Sequence, residues 1–149
     1  MNKAEAVYFK YCDSPLGELV LAASDRGLQA IIFRKESRSG FHGATLRRSH
    51  PILKKAERQL REYFDGRRKR FDVPIARAGT PFQQRAWDAL LTIPYGETVC
   101  YSEQAGLVGG VKKTRAVAAA NGKNPIPIII PCHRVIGKDG GLTGYAGGL

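Results

Sequence analysis

One stretch constrains this chain more than any other: Asn124-Pro125-Ile126-Pro127-Ile128-Ile129-Ile130-Pro131-Cys132-His133-Arg134-Val135. Each proline fixes its own φ and biases the residue before it toward extended geometry. The isoleucines between them must be buried. The pattern predicts a stiff, dry strand that ends on a thiol, with an imidazole and a guanidinium next to it. A thiolate is the reactive form of cysteine, and nearby cations favour it, so Cys132 is a candidate nucleophile.

The remaining sequence limits what that nucleophile can serve. A length of 149 residues fits one domain or two small ones. No apolar run approaches the roughly 20 residues needed to span a bilayer. The start, Met1-Asn2-Lys3-Ala4-Glu5-Ala6-Val7, lacks the apolar core of a signal peptide. Cys12, Cys100 and Cys132 are odd in number and widely spaced, which fits a reducing cytosol rather than a disulfide framework. The net charge of +11 points to a polyanionic partner. Residues 1–78 carry 17 Lys/Arg and 9 Asp/Glu, and residues 79–149 carry 7 and 4. The densest basic run, Arg67-Arg68-Lys69-Arg70, reads equally as a solvated loop or as a nucleic-acid patch.

Taken in order, residues 6–12, 18–23 and 28–33 read as three short strands joined by turns, an antiparallel meander. Residues 35–49 read as a loop. A helix is expected over 50–65, with Ile52, Leu53, Ala56, Leu60, Tyr63 and Phe64 on one face. Residues 70–73 are expected to be extended, and 74–79 to link two units. Thr80 and Pro81 open a further helix as N-cap and first residue, with Phe82, Ala86, Ala89, Leu90 and Ile93 buried and Trp87 beside them. Short helices are expected over 99–107 and 111–121, separated by Gly109-Gly110. Helix, Gly-containing turn, helix is a helix-turn-helix pattern.

The second helix, Lys112-Lys113-Thr114-Arg115-Ala116-Val117-Ala118-Ala119-Ala120-Asn121, crowds cations into its first turns. They oppose the macrodipole, and a phosphate partner would offset that cost. The alanines either allow close approach to a groove or simply pack in the core. The Gly-rich end, residues 137–149, could wrap a ligand or form a flexible tail.

Several of these segments resemble one family. Pro131-Cys132-His133-Arg134-Val135, preceded by Asn124-Pro125-Ile126-Pro127, resembles the active-site signature of the O6-alkylguanine-DNA alkyltransferases (methylated-DNA–protein-cysteine methyltransferases). Asp13-Ser14-Pro15-Leu16-Gly17, Tyr63-Phe64, Phe82-Gln83, residues 93–98, Arg115-Ala116-Val117 and residues 145–149 look like that family too. The resemblance implies an α+β protein. Residues 1–78 would form a small three-stranded sheet with helices (ribonuclease H-like), and residues 79–149 a winged-helix-like alkyltransferase domain.

It also implies a chemistry. A damaged guanine leaves the duplex, and Cys132 takes its alkyl group once, irreversibly and without a cofactor. O4-alkylthymine is a further candidate substrate. The partner is double-stranded DNA bound through the minor groove, and the protein is expected to be a monomer working in the cytoplasm. By the same resemblance, His133 would take the thiol proton through a water. Tyr101 would protonate the leaving guanine, and Asn124 would be a hinge. Arg115 would fill the gap left by the flipped base. Lys112, Lys113 and Thr114 would meet phosphates, with Ala116 and Ala119 on the same face. Pro127, Val135, Tyr145 and Gly147 would line the pocket, and the backbone carbonyls of Cys132 and Val135 would select guanine.

The sequence departs from the family at two places. Ser24 and Gln29 stand where some members carry zinc ligands, so no metal is expected. The family continues past residues 145–149 into a helix whose Glu orients the His. The expectation is therefore either a longer protein that supplies this Glu or a Cys132 activated without it. Two other readings compete: a non-catalytic binder of alkylated DNA, and a Cys/His hydrolase. The hydrolase is disfavoured because adjacent residues of a strand face opposite ways.

Overall fold

A computed structural model describes residues 6–33, 45–47 and 49–137 of the chain. The chain divides into two compact units, Met1–Ala78 and Gly79–Leu149.

The first unit is a small sheet with one helix. Strands β1 (Tyr8–Cys12), β2 (Leu19–Ser24) and β3 (Gly27–Phe33) form the expected antiparallel meander. A fourth strand, β4 (Thr45–Leu46), pairs parallel to β1, so the order is β3-β2-β1-β4. The sequence reading had placed these two residues in a loop, and a two-residue strand is too short to show any period. Central β2 is buried along its whole length, as its unbroken Leu-Val-Leu-Ala-Ala-Ser run requires. Helix α1 (Pro51–Phe64) buries Leu53, Ala56, Gln59 and Leu60. Removing the Leu60 side chain by Ala should cost about 2–5 kcal/mol.

His50 caps α1. Its Nδ1 accepts from the Ile52 N–H at 3.2 Å, which leaves Nε2 to donate to Asp25 at 2.9 Å. The segment expected to be a linker is docked instead. The Leu28 N–H donates to the Pro74 carbonyl at 2.7 Å, and the Ala76 N–H to the Leu28 carbonyl at 2.9 Å. A Cβ on Gly27 would lie 2.8 Å from the Ala76 nitrogen, so this close approach requires glycine. Residues 70–73 form no strand. Their neighbour Ile75 makes only an isolated bridge to Leu28.

The second unit is built on helix α2 (Pro81–Leu91). Thr80 and Gln83 form a reciprocal capping box: the Gln83 N–H donates to Thr80 Oγ1 at 3.1 Å, and the Thr80 N–H to Gln83 Oε1 at 2.9 Å. Trp87 is fully buried at the centre of the core rather than beside it, and its Nε1 donates to the Ala120 carbonyl at 2.9 Å. Phe82 is only half-buried, under Arg85 and Lys113.

The helix expected over 99–107 is two elements, strand β5 (Val99–Cys100) and helix α3 (Tyr101–Val108). The next helix begins as a 3-10 turn, Val111–Lys113, and continues as α4 (Thr114–Gly122). Strand β6 (Val135–Ile136) pairs parallel to β5. Gln104 on α3 and Asn121 on α4 are both buried. They exchange amide hydrogen bonds of 2.9 and 2.7 Å, and Gln104 also donates to the Ala86 carbonyl of α2 at 3.1 Å. This pair fixes α4 to the rest of the unit.

Candidate active site

The proline-rich segment is no strand. Pro125, Pro127 and Pro131 have no N–H for a ladder, and the chain folds back so that the Ile130 N–H donates to the Ile126 carbonyl at 2.9 Å. Ile128 takes φ 75°, which a β-branched residue rarely adopts. Such a conformation costs of order 1–3 kcal/mol. Burial of Ile126, Ile128, Ile129 and Ile130 holds it in place. The stiffness expected of this segment is real, but its source is a packed turn. Cys132, His133 and Arg134 then form a 3-10 turn. Their side chains therefore do not alternate as they would in a strand.

Asn124 holds the segment at both ends. Its Nδ2 donates to the Ile130 carbonyl at 2.7 Å, and its Oδ1 accepts from the Ile126 N–H at 2.9 Å. The same side chain favours the Cys132 thiolate. Burial pushes the thiol pKa up, because the charged form loses water. The Asn124 amide and the backbone N–H groups of Cys132 and His133 oppose that shift. The groups that favour the thiolate are thus fixed neutral donors, where the sequence had suggested the neighbouring cations.

Arg134 is used elsewhere. Its Nη1 donates to the Ile93 carbonyl at 2.7 Å, and its guanidinium lies over Tyr95 at 5.8 Å. It ties the turn to the end of α2.

The pairing of β5 with β6 ties the start of α3 to the chain that follows the thiol. Val99 and Cys100 lie opposite Val135 and Ile136, and Tyr101 directly follows Cys100. Burial raises the Tyr101 pKa, and the charge of Cys132 raises it further, so its phenol stays protonated. His133 is half-buried, and its pKa is lowered by desolvation and then by Arg134. It is held neutral, the form able to accept a proton. Pro127 is half-buried and Val135 fully buried. Tyr145 and Gly147 lie outside the described residues.

On α4 and the turn before it, Lys112, Lys113, Arg115, Ala116 and Ala119 are exposed, and Thr114 is half-buried. Val117, Ala120 and Asn121 face the core. The alanines thus divide: some pack, and others form a low, open face beside cations. Lys112, Arg115 and Lys123 make no side-chain ion pair with a described residue. Cys100 caps α3, and Glu103 reaches back to accept from its N–H at 3.1 Å.

A buried thiol on a helix-turn-helix unit with an open basic face joins a candidate nucleophile to a surface suited to a polyanion. The comparisons narrow this further. Residues 7–76 match the 6-O-methylguanine DNA methyltransferase ribonuclease-like domain, and residues 81–149 match the DNA binding domain of the same enzyme. The constitutive methylated-DNA–protein-cysteine methyltransferase of Bacillus subtilis is 44% identical over 94% of this chain and 87% of its own length. That of Methanosarcina acetivorans is 46% identical over 96% and 92%. The crystal structure of Mycobacterium tuberculosis OGT in complex with DNA superposes with TM-score 0.84 at 46% identity, covering 95% of this chain and 85% of that one.

The chain belongs to the methylated-DNA–protein-cysteine methyltransferase family. Its function is DNA repair by alkyl transfer, and its fold is the family's ribonuclease-like unit followed by a helix-turn-helix DNA-binding unit. Among the described residues no helix is long and apolar enough to cross a membrane.

Sequence reasoning missed Arg134 as a tether and Gln104–Asn121 as a clamp. A Gln beside Ala105 and an Asn at the end of the Ala run were the available signal.

Proposed function

We propose that Cys132 is the alkyl acceptor and that the substrate is O6-alkylguanine in duplex DNA, approached from the minor groove. The observation that carries this reading is a buried thiol on a short 3-10 turn, delivered by a packed segment that Asn124 fixes through hydrogen bonds of 2.7 and 2.9 Å. The exposed cations of α4 support binding to phosphates, with Lys112, Lys113 and Thr114 as sequence-independent contacts. Arg115 fills the space left when the damaged base is turned out of the stack, and Ala116 and Ala119 let the helix come close.

The thiol proton passes through a water to neutral His133. The thiolate Sγ attacks the alkyl carbon in line with the C–O6 bond. A C–S bond forms and the C–O6 bond breaks, with its electron pair remaining on guanine. Tyr101 donates a proton to the leaving base. The backbone carbonyls of Cys132 and Val135 accept from the exocyclic amine and so favour guanine, with Pro127 against the alkyl group. By the family resemblance alone, Tyr145 and Gly147 are further pocket candidates. The product thioether is a poor leaving group, so each molecule acts once. The protein works as a monomer at chromosomal DNA, and no cofactor enters the reaction.

Titrating the protein against excess duplex containing O6-methylguanine tests this. Repair should stop when one lesion per protein molecule is consumed, and Cys132→Ala should repair none while still binding the duplex. Continued turnover, or repair by Cys132→Ala, would overturn the proposal.

A further inference from the structure

The basic character of the first unit has no part in the chemistry above, and several of its cations are held in ion pairs. Lys10 pairs with Glu57 at 2.7 Å, Arg68 with Glu62 at 2.8 Å and Arg67 with Asp65 at 3.0 Å. Lys55 faces Asp72 at 3.4 Å, and Arg61 shares Glu57 at 3.4 Å. The run 67–70 is therefore largely occupied.

Lys54 and Arg58 differ. Both are exposed, and neither side chain makes an ion pair or hydrogen bond with a described residue. They stand one turn apart on α1, where like charges repel. Lys54 also lies in the first turn, which holds no acidic residue, so it opposes the helix dipole. Two adjoining surface concavities, of about 290 and 600 Å³, share these two side chains. Apart from Pro51 their walls are charged or small and polar. No aromatic or large aliphatic side chain lines them to anchor a protein partner, whereas an extended polyanion needs only the cations.

We propose that the Lys54–Arg58 face of α1 is a second contact for the phosphate backbone of duplex DNA, separate from the helix-turn-helix. The choice of polyanion rests on the DNA-binding reading above. The contact carries no sequence information and adds to affinity in a salt-dependent way.

The test uses the full chain and an undamaged duplex, with affinity followed by anisotropy between about 50 and 200 mM salt. Lys54→Ala with Arg58→Ala should reduce the slope of log affinity against log salt by about 2, near 0.9 per lost phosphate. Over that range the double variant should then lose about tenfold less affinity than the parent. The charge-keeping pair Lys54→Arg with Arg58→Lys should retain the parent slope. Lys112→Ala with Arg115→Ala serves as the independent arm. If it leaves the slope unchanged while the α1 pair lowers it, the reading of α4 fails and this inference stands. An unchanged slope and affinity in a Lys54→Ala, Arg58→Ala protein that melts at the parent temperature would overturn it.

Discussion

Cys12 and Cys132 are both buried, at 2% and 6% exposure, yet their surroundings differ. Cys12 ends β1, where burial and then the Glu57 carboxylate push its pKa up to about 11. Its Sγ faces the Asp13 carbonyl at 3.5 Å, an acceptor. Cys132 is raised by burial as well, but its neighbours are donors. Burial alone makes a thiol inert, and the sign of the local dipoles decides whether it can react. The same contrast separates the two units. In the first, ion pairs such as Lys10–Glu57 and Arg68–Glu62 hold the surface together. In the second, neutral amides fix the frame while α4 keeps its cations open.

The sharpest break of this comparison is at Asn124. Asn124→Ala removes a thiolate donor and both bonds that shape the turn, and a hydrogen bond to a charged group contributes about 1.5–3 kcal/mol. Single-turnover methyl transfer should slow about 10–100-fold. Cys12→Ser should leave the transfer rate within about twofold, because no contact joins it to the chemistry.

A smaller effect, on stability, is expected at the clamp. Gln104→Ala leaves buried Asn121 without its partner and should cost about 1–3 kcal/mol in denaturant unfolding. Replacing Gln104 and Asn121 together by Leu should recover part of that loss, since neither polar group is then stranded.

The pH profile follows from the shifts. The His133 pKa is lowered, so the base stays neutral to below its usual value of about 6.5, and the acid limb of the rate should fall there. The Cys132 pKa is raised, so the rate should keep climbing through the usual thiol value of about 8.5. Stopped-flow transfer at constant ionic strength would show both limbs. A plateau already reached at neutral pH would mean that the donors outweigh burial. The least sensitive site is Arg67–Asp65, where both side chains are mostly exposed. Arg67→Ala should change stability by less than about 1 kcal/mol.

Much of this was legible in the sequence. Thr80-Pro81 announced a helix start, the spacing of Leu53, Ala56 and Leu60 announced a buried face, and the Pro–Ile segment announced a rigid thiol. What was hidden depends on contacts distant along the chain. The β5–β6 pairing that ties the start of α3 to the chain after Cys132 involves two residues on each side, too few for periodicity. The 3-10 turn at 132–134 needed the fold-back at Ile128, which no propensity favours. The mutual bonds of Gln104 and Asn121 join residues on different helices, which no local pattern encodes.

The most direct measurement is peptide-resolved mass spectrometry after exposure to duplex containing O6-methylguanine. One methyl group should appear on the peptide carrying Cys132, with Cys12 and Cys100 unmodified. A methyl on either other cysteine, or a repaired base with all three thiols free, would contradict the claim that Cys132 is the acceptor.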